Sequence, residues 1–178
     1  EQFMYQAVKR FEADRGAGMD GESYIFFVGR ENYPLSWVED ADYQWGKAQV
    51  LQEGDDVVLV GSGVLLNRVI EAGEQLAQEG INATVINNPF INRVDIETIG
   101  AAVKAAKGRL VTIEDHQIIG GMGAQLSHAL SNEGISHSIK TLGIAGEFGQ
   151  SAYKADQLYD KFGLNVAGVK TAAKELLA

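Results

Sequence analysis

The sequence predicts an α/β layered domain built on a mainly parallel sheet. From Lys47 onward, short segments rich in Val, Ile and Leu alternate with amphipathic stretches of about a dozen residues, the order expected when helices cross over between parallel strands. The second to fourth of these strand segments have mainly apolar centres, as required when helices cover both faces of a sheet. The helical stretches end at glycines such as Gly80 and Gly134, ordinary C-terminal stop signals.

The chain has 178 residues, enough for one domain with an appendage, and a chain of that size buries roughly 70% of its unfolded surface without needing staples. Hydrophobic residues make up 46% and charged residues 22%, which excludes a disordered or fibrous chain. There is no Cys, which removes disulfides, thiolate catalysis and Cys-based metal sites. Fifteen basic against 24 acidic residues give a net charge of −9, so no nucleic-acid partner is expected. No apolar run approaches the ~20 residues that span a bilayer, and no signal peptide opens the sequence, so no membrane partner is expected either. The first residue is Glu1 rather than Met, and the expectation is a processed product or a piece of something longer.

Residues 3–13 place Phe3, Ala7, Val8 and Phe11 at helical spacing. A glycine-rich loop follows, and SYIFFVG (residues 23–29) has the composition of a buried strand. Residues 30–45 break the pattern: they are polar, acidic and aromatic, with Pro34 inside, and read as an extended connector whose aromatics pack on a surface. KAQVLQ (47–52) reads as a strand, EGDD as a turn and VVLVG (57–61) as a buried strand. A helix over 64–80 and the strand ATVIN (83–87) come next. Asp95 is the expected N-cap of a helix over 95–107, with Lys104 and Lys107 near its negative end. RLVTIED (109–115) is a strand, 120–134 a helix with a glycine-rich entry, and SHSIKTL (136–142) a strand. Two short helices over 154–162 and 166–177 finish the chain, the second capped by Asn165. The helix and strand before residue 30 look like the tail of a preceding unit.

Several motifs invite a functional reading. Gly61 and Gly63 lie between a strand and a helix, as in a dinucleotide-binding loop, but Leu66 takes the third glycine position and Asn87-Asn88 stands where a ribose-binding acid belongs. A tight strand-to-helix turn is the preferred reading. Glu114, Asp115 and His116 stand together at the carboxyl end of a strand, where open parallel sheets gather their sites, and Gly120, Gly121 and Gly123 open the next helix. Such residues supply acid–base chemistry or metal ligands elsewhere. Consecutive strand residues point to opposite faces, however, which favours a buried polar network or a subunit contact. His128 and His137 lack partners at ligand spacing, and no G-x-S-x-G elbow is present. Arg30 follows a buried strand segment; a guanidinium there grips a phosphate or carboxylate ligand, or pairs with Glu31, Glu39 or Asp40, and spacing leaves both open.

Five blocks in order, YIFFVGRENYP, DYQWGKAQVLQEGDDVVLVGSG, INATVIN, VTIEDHQIIGGMGAQL and LGIAGEFGQSAYKADQLYDKFGL, resemble the end of transketolases. The resemblance covers essentially the whole chain. It implies a three-layer α/β/α sandwich with a five-stranded, mostly parallel sheet whose first strand is antiparallel. Local reading pairs KAQVLQ with VVLVG as a hairpin across EGDD; the family places KAQVLQ beside a different neighbour. The implied division is residues 1–30 as the tail of a pyrimidine-binding domain, 31–46 as connector and 47–178 as the C-terminal domain.

The resemblance further implies a cytoplasmic, homodimeric enzyme of the pentose phosphate pathway. It transfers a two-carbon ketol unit between ketose and aldose phosphates, using thiamine diphosphate and a divalent metal, Mg or Ca. The family holds that metal with a G-D-G motif and activates the cofactor with a Glu of the pyrimidine domain. The G-D-G is absent here, so cofactor, metal and catalytic residues are expected in upstream domains or a separate subunit, leaving this chain inactive alone. One residue carries over: Arg30 in GRENYP matches the family's substrate-phosphate Arg, with Asn32 and Pro34 fitting the pattern. Gly146 stands where the family often has Asp. The alternatives are a 1-deoxyxylulose-5-phosphate synthase, a 2-oxo-acid dehydrogenase beta subunit whose domain docks an acyltransferase core, and a free-standing binding domain. The EDH and FGQS blocks favour transketolase.

Overall fold

A computed structural model of the chain describes residues 2–29 and 43–178. Arg30, and the expected connector as far as residue 42, lie outside the described residues. Helix α1 spans Gln2–Gly16. The strands are β1 (Gln49–Gln52), β2 (Val57–Gly61), β3 (Ala83–Asn87), β4 (Arg109–Gln117) and β5 (Ser138–Ile144). Between and after them lie α2 (Leu66–Gln78, entered by a 3-10 turn at Gly63–Leu65), α3 (Ile96–Ala105), α4 (Met122–Asn132), α5 (Ala155–Lys161) and α6 (Val166–Leu177).

The strands form one sheet in the order β1-β3-β2-β4-β5, with β1 antiparallel to β3 and all other pairs parallel. The local hairpin is thus rejected, and the turn itself shows why. Gly54 donates its N–H to Thr84 Oγ1 at 3.1 Å, and Asp56 exchanges bonds with the Asn82 backbone, accepting its N–H at 2.7 Å and donating its own N–H to the carbonyl at 2.9 Å. Residues 53–56 are spent on the start of β3, and Asn87 Nδ2 donates to Gln49 Oε1 at 2.8 Å to close the far end of the pair.

Side-chain alternation builds two cores. Val57, Leu59, Val85, Val111 and Ile113 meet the 3-10 turn through Leu65, and α2 and α6 through Val69, Leu76, Val169 and Ala173. On the other face Val58, Val60, Ile86 and Leu110 meet α3 and α4 through Ile99, Val103, Met122, Leu126 and Leu130. This is a three-layer α/β/α sandwich, and each fully buried aliphatic side chain contributes about 1.5–3 kcal/mol. Glu79 at the end of α2 pins α6, accepting from Lys170 at 2.8 Å and Lys174 at 2.5 Å.

Both local caps form as expected. Asp95 Oδ1 accepts the Thr98 N–H at 3.3 Å and Asn165 Oδ1 that of Gly168 at 2.9 Å. Asp95 also accepts the Ala48 N–H at 3.0 Å, tying α3 to the start of β1. Burial pushes its carboxyl up, but the bonds from Thr98 and Ala48 and the charge of Lys47 outweigh this and hold it below the usual range.

Two expectations shift. Strand β5 runs Ser138–Ile144 rather than 136–142, because the Gln117–Ile144 pairing extends the ladder at its carboxyl end. Residues 23–29 form no strand, and Ile25 and Phe27 are 80% and 84% exposed. A strand needs a ladder, and neither sheet edge, β1 or β5, pairs with this segment. Helix α1 instead docks through aromatics: the Phe3 ring sits edge-on to Tyr43, Trp45 and Phe90 at 5.4, 6.4 and 5.1 Å, while Arg10 covers Trp45 at 5.2 Å.

Candidate functional site

The polar triplet lies at the end of β4, and alternation along the strand separates its members. Glu114 is buried in the α3–α4 layer. Its Oε2 accepts the N–H of Met122 at 2.6 Å and its Oε1 that of Gly123 at 3.0 Å. Helix α4 has glycine at its N-cap, so a carboxylate from the strand satisfies two of its free amides and sets negative charge at the positive end of the helix. The glycines make room for this. A Cβ at position 121 would lie 2.1 Å from Glu114 Oε2, and one at position 123 would lie 2.6 Å from the hydroxyls of Thr112 and Thr141. The glycine-rich entry is therefore built around an internal anion.

Asp115 points to the opposite layer and accepts the Tyr159 hydroxyl at 2.8 Å. The Arg68 guanidinium stands over the Tyr159 ring at 5.2 Å and donates to Asp156 at 2.5 Å. His116 is exposed. The triplet thus works as two anchors, one for α4 and one for α5, joined back to back through the strand.

The other candidates stand apart from this end or serve the fold. A Cβ at Gly61 would lie 2.6 Å from Val69 Cγ2, and Gly63 has a φ of 55°, so the pair makes a close strand-to-helix turn. The Asn88 N–H donates to the Gly61 carbonyl at 2.9 Å, so Asn87 and Asn88 both serve the sheet. His128 is exposed and bonds Asn132 at 3.0 Å. His137 lies at the amino end of β5. Its Nδ1–H donates to the Ile135 carbonyl at 2.9 Å, leaving Nε2 to accept the Ser127 hydroxyl at 2.8 Å. This stitches α4 to the strand that follows it. Gly146 has a φ of 75° and donates its N–H to Gln117 Oε1 at 3.0 Å, so the position needs a residue at ease in left-handed backbone. Arg30, the one expected substrate contact, lies outside the described residues. Sequence reasoning missed the Asp115–Tyr159 bond and the Ser127–His137 pair; partners 44 and 10 residues apart leave no spacing signal.

A family model described as the C-terminal domain of transketolase matches residues 46–169. The chain belongs to the transketolase C-terminal domain family. It is similar to a 1-deoxy-D-xylulose-5-phosphate synthase of Desulfitobacterium hafniense, 37% identical over 132 residues, which are 74% of this chain and 20% of the relative. A putative transketolase C-terminal section from Methanocaldococcus jannaschii is 34% identical over 127 residues, 71% of this chain and 39% of that protein. Among solved structures, a split-gene transketolase described as an inactive β4 tetramer matches with a TM-score of 0.79 and 30% identity, over 96% of this chain and 54% of its own. The chain thus spans between 20% and 54% of the length of these relatives.

Within this transketolase C-terminal domain, the residues do not fit the metal-bound diphosphate of thiamine diphosphate. Both oxygens of Glu114 are committed to α4, and Asp115 faces away from it toward Tyr159. Among the described residues no group of three or more His, Asp or Glu side chains gathers to hold a metal ion. Nor is any described helix long and apolar enough to cross a membrane.

Proposed function

We propose that this chain is the C-terminal section of a transketolase, a transferase that moves a two-carbon ketol unit from a ketose phosphate to an aldose phosphate. The observation that carries this reading is coverage. Compared by sequence, likeness to the human transketolase-like protein 2 extends over 85% of the chain at 30% identity, whereas the synthase match covers 74%. In this reading residues 1–30 are the tail of the pyrimidine-binding domain and 31–46 the connector. The exposed apolar residues Ile25, Phe27 and Val28 then await the rest of that domain. The section acts as scaffold and subunit contact, and Arg30 binds the substrate phosphate through its planar fork. Thiamine diphosphate and its Mg or Ca ion are held by the upstream domains or subunit. The chain also assembles with copies of itself, as the split-gene relative described as a β4 tetramer does. The complete enzyme is a cytoplasmic member of the pentose phosphate pathway.

A second reading, the end of a 1-deoxyxylulose-5-phosphate synthase, is favoured by the 37% identity to that relative. One experiment separates them: the chain is assayed alone and joined to its native upstream portion, with thiamine diphosphate and Mg, once on a ketose phosphate with an aldose phosphate and once on pyruvate with glyceraldehyde 3-phosphate. Transketolase predicts ketol transfer between sugar phosphates only in the joined form. Accumulation of 1-deoxyxylulose 5-phosphate selects the second reading, and turnover by the chain alone defeats both.

A further inference from the structure

The connection from β5 to α5 reads Glu147-Phe148-Gly149-Gln150-Ser151-Ala152-Tyr153-Lys154. Its chemistry is mirrored about the middle: acid and aromatic at one end, aromatic and base at the other. Phe148 is 95% exposed, Tyr153 101%, and Ile119 on the adjoining β4–α4 loop 82%. Single exposed apolar residues need no explanation. These three lie on the two connections that leave the carboxyl ends of the parallel strands β4 and β5, and those connections are fixed by hydrogen bonds. The Ile118 N–H donates to the Ile144 carbonyl at 3.0 Å and the Gly146 N–H to Gln117 Oε1 at 3.0 Å. Gln157 Oε1 accepts the N–H groups of Tyr153 and Lys154 at 3.1 and 3.2 Å, and Lys161 Nζ donates to Gln150 Oε1. A surface held in this way loses little freedom when it is covered.

Charge says what covers it. Glu147 and Lys154 are exposed, and neither forms an ion pair with another described residue. The net charge of −9 opposes the approach of a second copy, so self-association requires opposite charges to be matched locally. A two-fold interface is self-complementary by construction. An axis through the middle of this octapeptide sets Glu147 of each copy against Lys154 of the other, and Phe148 against Tyr153.

We propose that residues 147–154, flanked by Ile119, form the self-association surface of this chain, occupied by a second copy related by a two-fold axis. The inference rests on the reading above that the chain assembles with itself, and adds where and by what pairing. Each contact then holds two crossed ion pairs and two aromatic pairs.

The test is analytical ultracentrifugation of the 178-residue chain at low salt. Native chain is compared with Glu147→Lys, Lys154→Glu, the double swap, and Phe148→Ser with Tyr153→Ser, each checked by circular dichroism. Either single reversal places like charges face to face and raises the dissociation constant about tenfold or more. The double swap restores it to within about threefold, and the double serine variant dissociates the assembly. Native chain that assembles but ignores all four variants overturns this surface alone. Single reversals that weaken assembly without rescue by the swap overturn the pairing. Native chain that stays monomeric at every concentration overturns the parent reading as well.

Discussion

Glu114 on strand β4 and Met122 at the start of helix α4 are joined by a 2.6 Å hydrogen bond from the Met122 amide to the carboxylate. The neighbouring Gly123 amide bonds the other oxygen, so the helix is capped from the sheet rather than from its own sequence. Glu114→Gln keeps the size but sets an amide donor against a backbone N–H, and costs about 1–3 kcal/mol. Glu114→Ala leaves two amides without an acceptor and costs about 2–4 kcal/mol. Urea denaturation measures both; a Gln variant as stable as the native chain refutes the cap.

Gly123 sits where α4 packs against Thr112 of β4 and Thr141 of β5. Gly123→Ala forces its methyl against the hydroxyls of Thr112 and Thr141, at an expected cost of about 1–3 kcal/mol. Pairing it with Thr141→Ala removes one obstacle, so the double variant loses less than the sum of the singles. Strict additivity in a double-mutant cycle contradicts the packing account.

Glu79 supplies the pH prediction. Hydrogen bonds from Lys170 and then Lys174 lower its carboxyl from the ordinary 4.5 to about 2. A folded-state pKa below the unfolded one contributes stability that is present above pH 4.5 and lost as pH falls toward 2. The native chain should therefore exceed Glu79→Gln in melting temperature near neutral pH, with the gap closing across that window. The carboxylate is 38% exposed, so about 1 M salt shrinks the gap as well. A gap that is constant in acid and in salt removes the ion pairs from the account.

Arg30 is testable in the complete enzyme. Under the proposed role, Arg30→Ala raises KM for phosphorylated sugars far more than for unphosphorylated hydroxypyruvate, and Arg30→Lys rescues only in part because an ammonium lacks the planar fork. Steady-state kinetics with both substrate types decide it; equal effects on the two show that Arg30 does not read phosphate.

What the sequence made legible was local. The strands β2, β3 and β4 stood out as apolar runs because both their faces are covered, and Asp95 and Asn165 stood out because a cap reaches only three residues ahead. The neighbour of β1 depended on bonds from Gly54 and Asp56 to residues some thirty positions on, and local reading chose the wrong strand. SYIFFVG has strand composition, yet composition cannot provide the ladder that a strand requires. Glu114 was visible as a polar residue at a strand end. Its task was hidden, because it arises only when α4 has packed against β4. The glycines at 121 and 123 were the trace of that packing, but a glycine shows that space is needed and not which atoms fill it.

The ring of Phe3 wedged among Tyr43, Trp45 and Phe90 has a practical meaning for anyone handling this polypeptide. A protease nick between α1 and Tyr43 should let α1 part from the rest on a sizing column without denaturant, because Ala7 alone of the helix is buried and a few ring contacts do not offset the cost of holding two separate fragments together.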